Sequence, residues 1–289
     1  MEKKFNSNKF QGKKTVSFSK DKPKIVSKEK RVIEKSKSTT SASSEQDIVR
    51  LNRFIANAGI CSRREADTLI SEGVVEINGK IVTELGTKVK LSDVVKVNGK
   101  KIEGEKKQYL LLNKPKDYIT TMDDPKDRKT VLDLVGKACM ERVYPVGRLD
   151  RATTGLLLFT NDGEMTKKLT HPSSNIKKVY QVSLDKNVTQ KDMMRLVEGV
   201  ELEDGVVAVD KVMYAKDGVD KSIITLDLHS GKNRVIRRMM EQLNYKVLRL
   251  DRIQFAGLTK KDIPRGRFRF LTEKEIGFLH RITGIKQQS

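Results

Sequence analysis

The stretch Gly147-Arg148-Leu149-Asp150-Arg151-Ala152-Thr153-Thr154-Gly155 runs into the apolar Leu156-Leu157-Leu158. It sets one carboxylate between two arginines in a polar loop, with apolar runs on either side. Neighbouring cations favour the ionised form of an acid. An ionised carboxylate on a scaffolded loop can act as a nucleophile or as a base. Aspartate is also a common turn and cap residue, so the residues alone make Asp150 a candidate and no more.

Two further segments hold side chains suited to chemistry. Tyr180 lies in Lys177 to Leu184, where Val179, Gln181 and Ser183 alternate with Tyr180, Val182 and Leu184 as in a strand. In Asn233 to Leu243, Arg234, Arg237, Arg238 and Glu241 share one helical face by their i, i+3, i+4 spacing. Val235, Ile236, Met239, Met240 and Leu243 supply the apolar side. Ser230-Gly231-Lys232 lacks the upstream glycine and the following hydroxyl of a phosphate-binding loop, so that reading is discarded. Cys61 and Cys139 form no CxxC pair, and His171, His229 and His280 are scattered. No metal site and no disulfide framework is expected from them.

The partner class follows from charge. The net charge is +21, which favours a polyanion. Residues 1–47 hold 13 basic and 6 acidic residues, giving +7; residues 48–105 hold 10 and 8, giving +2; residues 106–289 carry the remaining +12. No run approaches the roughly 20 apolar residues of a membrane helix, and no apolar signal core opens the chain. A cytoplasmic protein with no membrane partner is expected, and a monomer.

The elements that must position these residues fall into three segments. Residues 1–47, rich in Lys and Ser, bury too little apolar area to offset ordering entropy; they read as a disordered basic tail, a solubiliser or an RNA tether. Residues 48–105 form a compact unit. Val49 to Ala58 is expected as a helix burying Leu51, Phe54, Ile55 and Ala58. A second helix runs to about Glu72, with Ser62 and Glu65 as a capping box. Asn78-Gly79 and Asn98-Gly99 mark tight hairpins. In residues 106–289, strands are expected at Tyr109–Leu112, Val143–Val146, Gly155–Thr160, Lys177–Leu184, Ser222–Leu228 and Lys246–Phe255. Asn161-Asp162-Gly163 reads as a turn. Helices are expected at Thr189–Glu198, Asn233–Leu243 and Thr272–Ile282. Strands and helices do not alternate strictly, which predicts an α+β fold on a mostly antiparallel mixed sheet flanked by helices.

Two resemblances sharpen this reading. Arg50-Leu51-Asn52-Arg53-Phe54-Ile55, Ala58-Gly59, Cys61-Ser62-Arg63-Arg64-Glu65-Ala66 and Ile77-Asn78-Gly79-Lys80 resemble the S4 RNA-binding domain. Gly-Arg-Leu-Asp-x-x-Thr-x-Gly-Leu-Leu-Leu around Asp150 resembles the central motif of the RsuA-type pseudouridine synthases, which modify ribosomal RNA. Leu112-Asn113-Lys114-Pro115 with Thr120-Thr121 resembles that family's first motif. Gly231-Lys232-Asn233-Arg234 with Ile236-Arg237-Arg238-Met239 resembles its third. Asp117 stands where the family commonly has glycine, and Val235 where it commonly has glutamine.

The resemblance implies a cofactor-independent isomerisation of uridine in ribosomal RNA, 23S rather than 16S, or in a ribosomal subunit precursor. It implies Asp150 as nucleophile or base, Tyr180 stacking on the uracil and assisting proton transfer, and Arg237 paired with Asp150. Arg148 fills the space left by the flipped uridine. Arg53, Arg63, Arg64 and Lys80 of the S4 segment, with Arg234 and Arg238, contact RNA. Two other classes were weighed. A non-catalytic ribosome-assembly protein leaves Asp150, Tyr180 and Arg237 unexplained. A glycosidase-like hydrolase using a carboxylate pair on free nucleosides does not need the +21 charge, and no second acid sits in the motifs.

Overall fold

The computed structural model describes residues 48–215 and 219–285. The expected basic tail, residues 1–47, lies outside the described residues.

The first unit begins with β1 (Ile48–Arg50), α1 (Leu51–Asn57) and α2 (Arg63–Ser71). The helix expected from Val49 therefore starts later. Val49 and Arg50 instead pair with β4 (Lys88–Lys90), with Val49 opposite Val89, a β-branched pair suited to a strand. The apolar face of α1 holds, with Leu51 and Ile55 buried. The expected capping box closes both ways: the Glu65 N–H donates to Ser62 Oγ at 3.3 Å, and the Ser62 N–H donates to Glu65 Oε2 at 2.6 Å. Then come β2 (Val75–Ile77), β3 (Lys80–Ile81), β5 (Val95–Val97) and β6 (Lys100–Lys101), in sheet order β3-β2-β5-β6. Both Asn-Gly turns have positive φ at both residues, the backbone that a two-residue hairpin demands. These elements bury their own core of Leu51, Ile55, Ala66, Ile70, Val75, Val89 and Val95.

The second unit carries β7 (Tyr109–Lys114), α3 (Leu132–Val135), β8 (Tyr144–Pro145), β9 (Thr153–Thr160) and α4 (Gly163–Thr170). It continues with β10 (Lys178–Leu184), α5 (Gln190–Glu198), β11 (Lys211–Tyr214), β12 (Ile223–Leu228) and α6 (Val235–Gln242). It ends with β13 (Val247–Phe255), β14 (Leu258–Thr259), β15 (Phe268–Phe270) and α7 (Glu273–Thr283). The sheet runs β11-β12-β10-β13-β9-β7-β15, with β14 on β13 and β8 on β9. Its pairings are antiparallel except β13 with β9, so the α+β, mostly antiparallel expectation holds.

The sheet centre is covered on both faces. Tyr109, Leu111, Leu156 and Leu158 pack with Met165 and Leu169 of α4 and Leu279 of α7. Their strand neighbours Leu110, Leu112, Leu157 and Phe159 turn to the other side and pack with Val131, Val135 and Leu149. This period-2 alternation, apolar on both faces, makes β7 and β9 read as continuous apolar runs.

Asn161-Asp162-Gly163 is more than a turn. Asp162 Oδ1 accepts from the Glu164 N–H at 3.0 Å and the Met165 N–H at 3.1 Å, capping α4. Its other oxygen accepts from the Tyr109 hydroxyl at 2.8 Å. A glycine at the first helical position hid this helix from a propensity reading.

Candidate active site

Asp150 lies in the connection from β8 to β9, half-buried. Its backbone is pinned. The Thr153 N–H donates to the Asp150 carbonyl at 3.0 Å. Lys114, fully buried at the end of β7, donates from Nζ to the carbonyls of Thr153 at 2.9 Å, Pro115 at 3.1 Å, Asp150 at 3.2 Å and Arg151 at 3.4 Å. Burial pushes this ammonium down to about 8, against the opposing pull of the Asp150 and Asp117 carboxylates. Thr120 holds the same loop from the other side: its hydroxyl donates to the Leu149 carbonyl at 2.8 Å and accepts from the Leu149 N–H at 3.3 Å. The Asp150 carboxylate itself makes no hydrogen bond or ion pair among the described residues. The scaffold grips the main chain and leaves the acid unengaged.

Sheet register brings Tyr180 to this loop. Tyr180 on β10 pairs with Arg252 on β13, and Arg252 pairs with Gly155 on β9. Tyr180 also packs on the cluster containing Leu149. Gly155 has φ +104, and a Cβ there would stand 2.2 Å from the Arg252 carbonyl oxygen and 2.6 Å from its nitrogen. Only glycine lets β9 and β13 approach so closely. Arg252 is buried, donates from Nε to the Leu156 carbonyl at 2.8 Å, and lies over the Phe255 ring at 4.6 Å.

Arg237 is half-buried on α6. Its Nη1 donates to the Val247 carbonyl at 3.2 Å, and it forms no ion pair among the described residues. The direct Asp150–Arg237 pair expected from the motif is therefore absent. The two are coupled through space: burial and then Arg234 push the Arg237 guanidinium down, while Asp150 and Glu241 push it back up. Arg234 is not within the helix. It is the N-cap of α6 in the left-handed region, φ +46, a backbone uncommon outside glycine and frequent at functional sites. Arg238 is engaged elsewhere, bidentate to Asp204 at 2.8 and 3.0 Å. Arg148 is exposed, with no hydrogen bond or ion pair among the described residues.

Asp117 has φ +70, which explains the glycine common there. Its N–H donates to the Arg151 carbonyl at 2.9 Å, and its carboxylate forms an ion pair with Arg151 Nε at 3.3 Å. In the S4 unit, Arg53 and Arg63 line one cleft; Arg64 and Lys80 are exposed and do not line it. The sequence reading gave Lys114 only as a motif member and singled out neither Arg252 nor Lys167. A lysine that caps four carbonyls has no local signature. Among the described residues, no cluster of three or more His, Cys, Asp or Glu could hold a metal ion, and no helix is long and apolar enough to cross a membrane.

The sequence matches the RNA pseudouridylate synthase family over residues 108–242 and the S4 domain over residues 49–95. It is 45% identical over 230 residues to the ribosomal large subunit pseudouridine synthase B of Bacillus subtilis, covering 78% of this chain and 93% of that one. It is 38% identical over 231 residues to the dual-specificity RNA pseudouridine synthase RluF of Escherichia coli, covering 79% and 77%. A crystal structure of a pseudouridylate synthase superposes with a TM-score of 0.57 at 28% identity, covering 80% of this chain and 99% of that one. The chain belongs to the RNA pseudouridylate synthase family. It is an enzyme of the RsuA type, with an S4 domain ahead of the catalytic fold.

Proposed function

We propose that this enzyme isomerises a uridine of ribosomal RNA, in the large subunit, using Asp150 on a flipped-out nucleotide and no cofactor. The reaction breaks the bond between ribose C1′ and uracil N1 and forms one between C1′ and C5. The C5 proton is lost and N1 gains one, so substrate and product are isomers. Asp150 provides the negative charge as nucleophile or base. Tyr180 stacks on the uracil and assists proton transfer at C5. Arg237 orients the site electrostatically. Arg148, exposed and free, occupies the vacated stack; a planar guanidinium both stacks and donates. Residues 48–105 form the RNA-binding domain and residues 106–289 the catalytic domain.

The observation that carries this reading is the pinned main chain of Asp150 with its carboxylate left unengaged. The large-subunit assignment is supported by the Bacillus subtilis relative. Carbodiimide mapping of ribosomal RNA from cells with and without this gene tests both. The expected result is loss of one 23S stop in the deletion strain, restored by the wild-type gene but not by Asp150→Asn. A lost 16S stop overturns the subunit assignment. An unchanged map overturns the substrate. Restoration by Asp150→Asn overturns the role of the acid.

A further inference from the structure

We propose that the cleft between the S4 unit and helix α4 is a seat for the RNA phosphate backbone, built jointly by the two units. The cleft has a volume of about 550 Å³. Arg50, Arg53, Arg63 and Lys88 line it from the S4 side, and Lys167 with Gly163 from α4. No acidic residue lines it. None of its five cations has a carboxylate within 4.0 Å among the described residues.

Several cations elsewhere are paired with carboxylates, whereas this cleft gathers five that are not. Arg238 is held by Asp204, Arg128 by Asp124, Arg269 by Glu275, and both Lys260 and Arg265 by Asp251. Five cations with no carboxylate partner among the described residues repel each other around one cleft, and a polyanion relieves that repulsion while releasing its counterions. The lining holds no aromatic ring, so it offers no stacking platform for bases. It is equipped to hold backbone rather than to read sequence.

The seat is distinct from the Asp150 loop, none of whose residues lines it. The Asp150 loop leads into one end of β9, and α4 follows the other. The cleft therefore governs affinity and placement of an RNA segment other than the reacting nucleotide. The choice of probe below rests on the proposed action on large-subunit RNA.

The test compares two lysines on one helix. Lys167 lines the cleft; Lys168, also exposed, does not. Full-length wild type, Lys167→Gln, Arg53→Gln and Lys168→Gln are titrated against a 23S ribosomal RNA transcript by filter binding at several salt concentrations. Lys167→Gln and Arg53→Gln should each raise Kd about three- to tenfold and flatten the salt dependence by roughly one contact. Lys168→Gln should change Kd less than about twofold. Equal losses for Lys167→Gln and Lys168→Gln overturn the proposal, as does wild type binding no more tightly than Lys167→Gln. Displacement of the transcript by millimolar uridine monophosphate in wild type alone makes the cleft a small-anion site and also overturns it. Pseudouridine in the same transcript is mapped separately, so a binding transcript that is never modified counts against the proposed substrate and not against the seat.

Discussion

Lys114 Nζ donates to the Asp150 carbonyl at 3.2 Å, so a fully buried lysine fixes the loop of the candidate catalytic acid through its main chain rather than its carboxylate. The same ammonium serves three more carbonyls. Lys114→Met keeps the length and removes every donor. Leaving four carbonyls short of a partner should destabilise the fold by about 2–4 kcal/mol, read as a lower urea midpoint. Turnover should fall with it, because the loop loses its register.

The lysine also predicts a pH dependence. Burial brings its pKa to about 8 from an ordinary 10.5. Between those values the unfolded chain holds a proton that the folded chain has released. Stability contributed by this group therefore rises with pH over that window and is flat below it. Urea midpoints of wild type and Lys114→Met, compared from pH 7 to 10.5, should diverge in favour of wild type above about pH 8. Parallel curves would remove the assignment.

Asp150→Asn should abolish pseudouridine formation, a loss of at least roughly a thousandfold, while RNA affinity stays within severalfold. Arg237→Met should slow the chemical step less, since it acts on Asp150 through the field and not by contact. In single-turnover assays with saturated enzyme, the double variant should be little worse than Asp150→Asn. Strictly multiplicative losses would leave Asp150 standing and break its link to Arg237.

Arg148→Ala should slow modification of folded RNA more than of a short unstructured RNA, since only the former has a stack to disrupt. Equal losses on both substrates would make Arg148 a plain phosphate contact.

Gly155→Ala should be among the most damaging single-methyl changes. The new Cβ meets main-chain atoms of Arg252 that cannot step aside without parting β9 from β13. A loss of about 3 kcal/mol or more is expected, with poor folding at 37 °C. A variant with wild-type thermal stability would show that the strands separate freely.

Much of this was legible in the chain where the signal is local. The Ser62–Glu65 box, both Asn-Gly hairpins and the buried run at Tyr109–Leu112 each encode their conformation within a few residues. The motifs pointed to Asp150, Tyr180 and Arg237. What stayed hidden depends on partners far along the chain. β1 exists because Val89 lies opposite Val49. Arg238 is claimed by Asp204, 34 residues upstream. Lys114 earns its place only when four carbonyls converge. Lys167 reads as one more solvated helix lysine until α4 is set beside the S4 unit.

Asn161 gives β9 a second anchorage. Its side chain accepts from the Gln108 N–H at 2.9 Å and donates to the Lys106 carbonyl at 2.9 Å and to Glu105 at 3.3 Å, tying the linker from the S4 unit to the strand's far end. A buried strand, bonded along both edges and fastened at both tips, behaves as a spacer of set length. With the proposed seat as a grip, choosing a uridine becomes partly surveying: the RNA is asked how far the target lies from that grip, as well as what surrounds it. Swapping bases in the gripped segment should matter little, whereas inserting or deleting a nucleotide between grip and target shifts the wrong residue under Asp150.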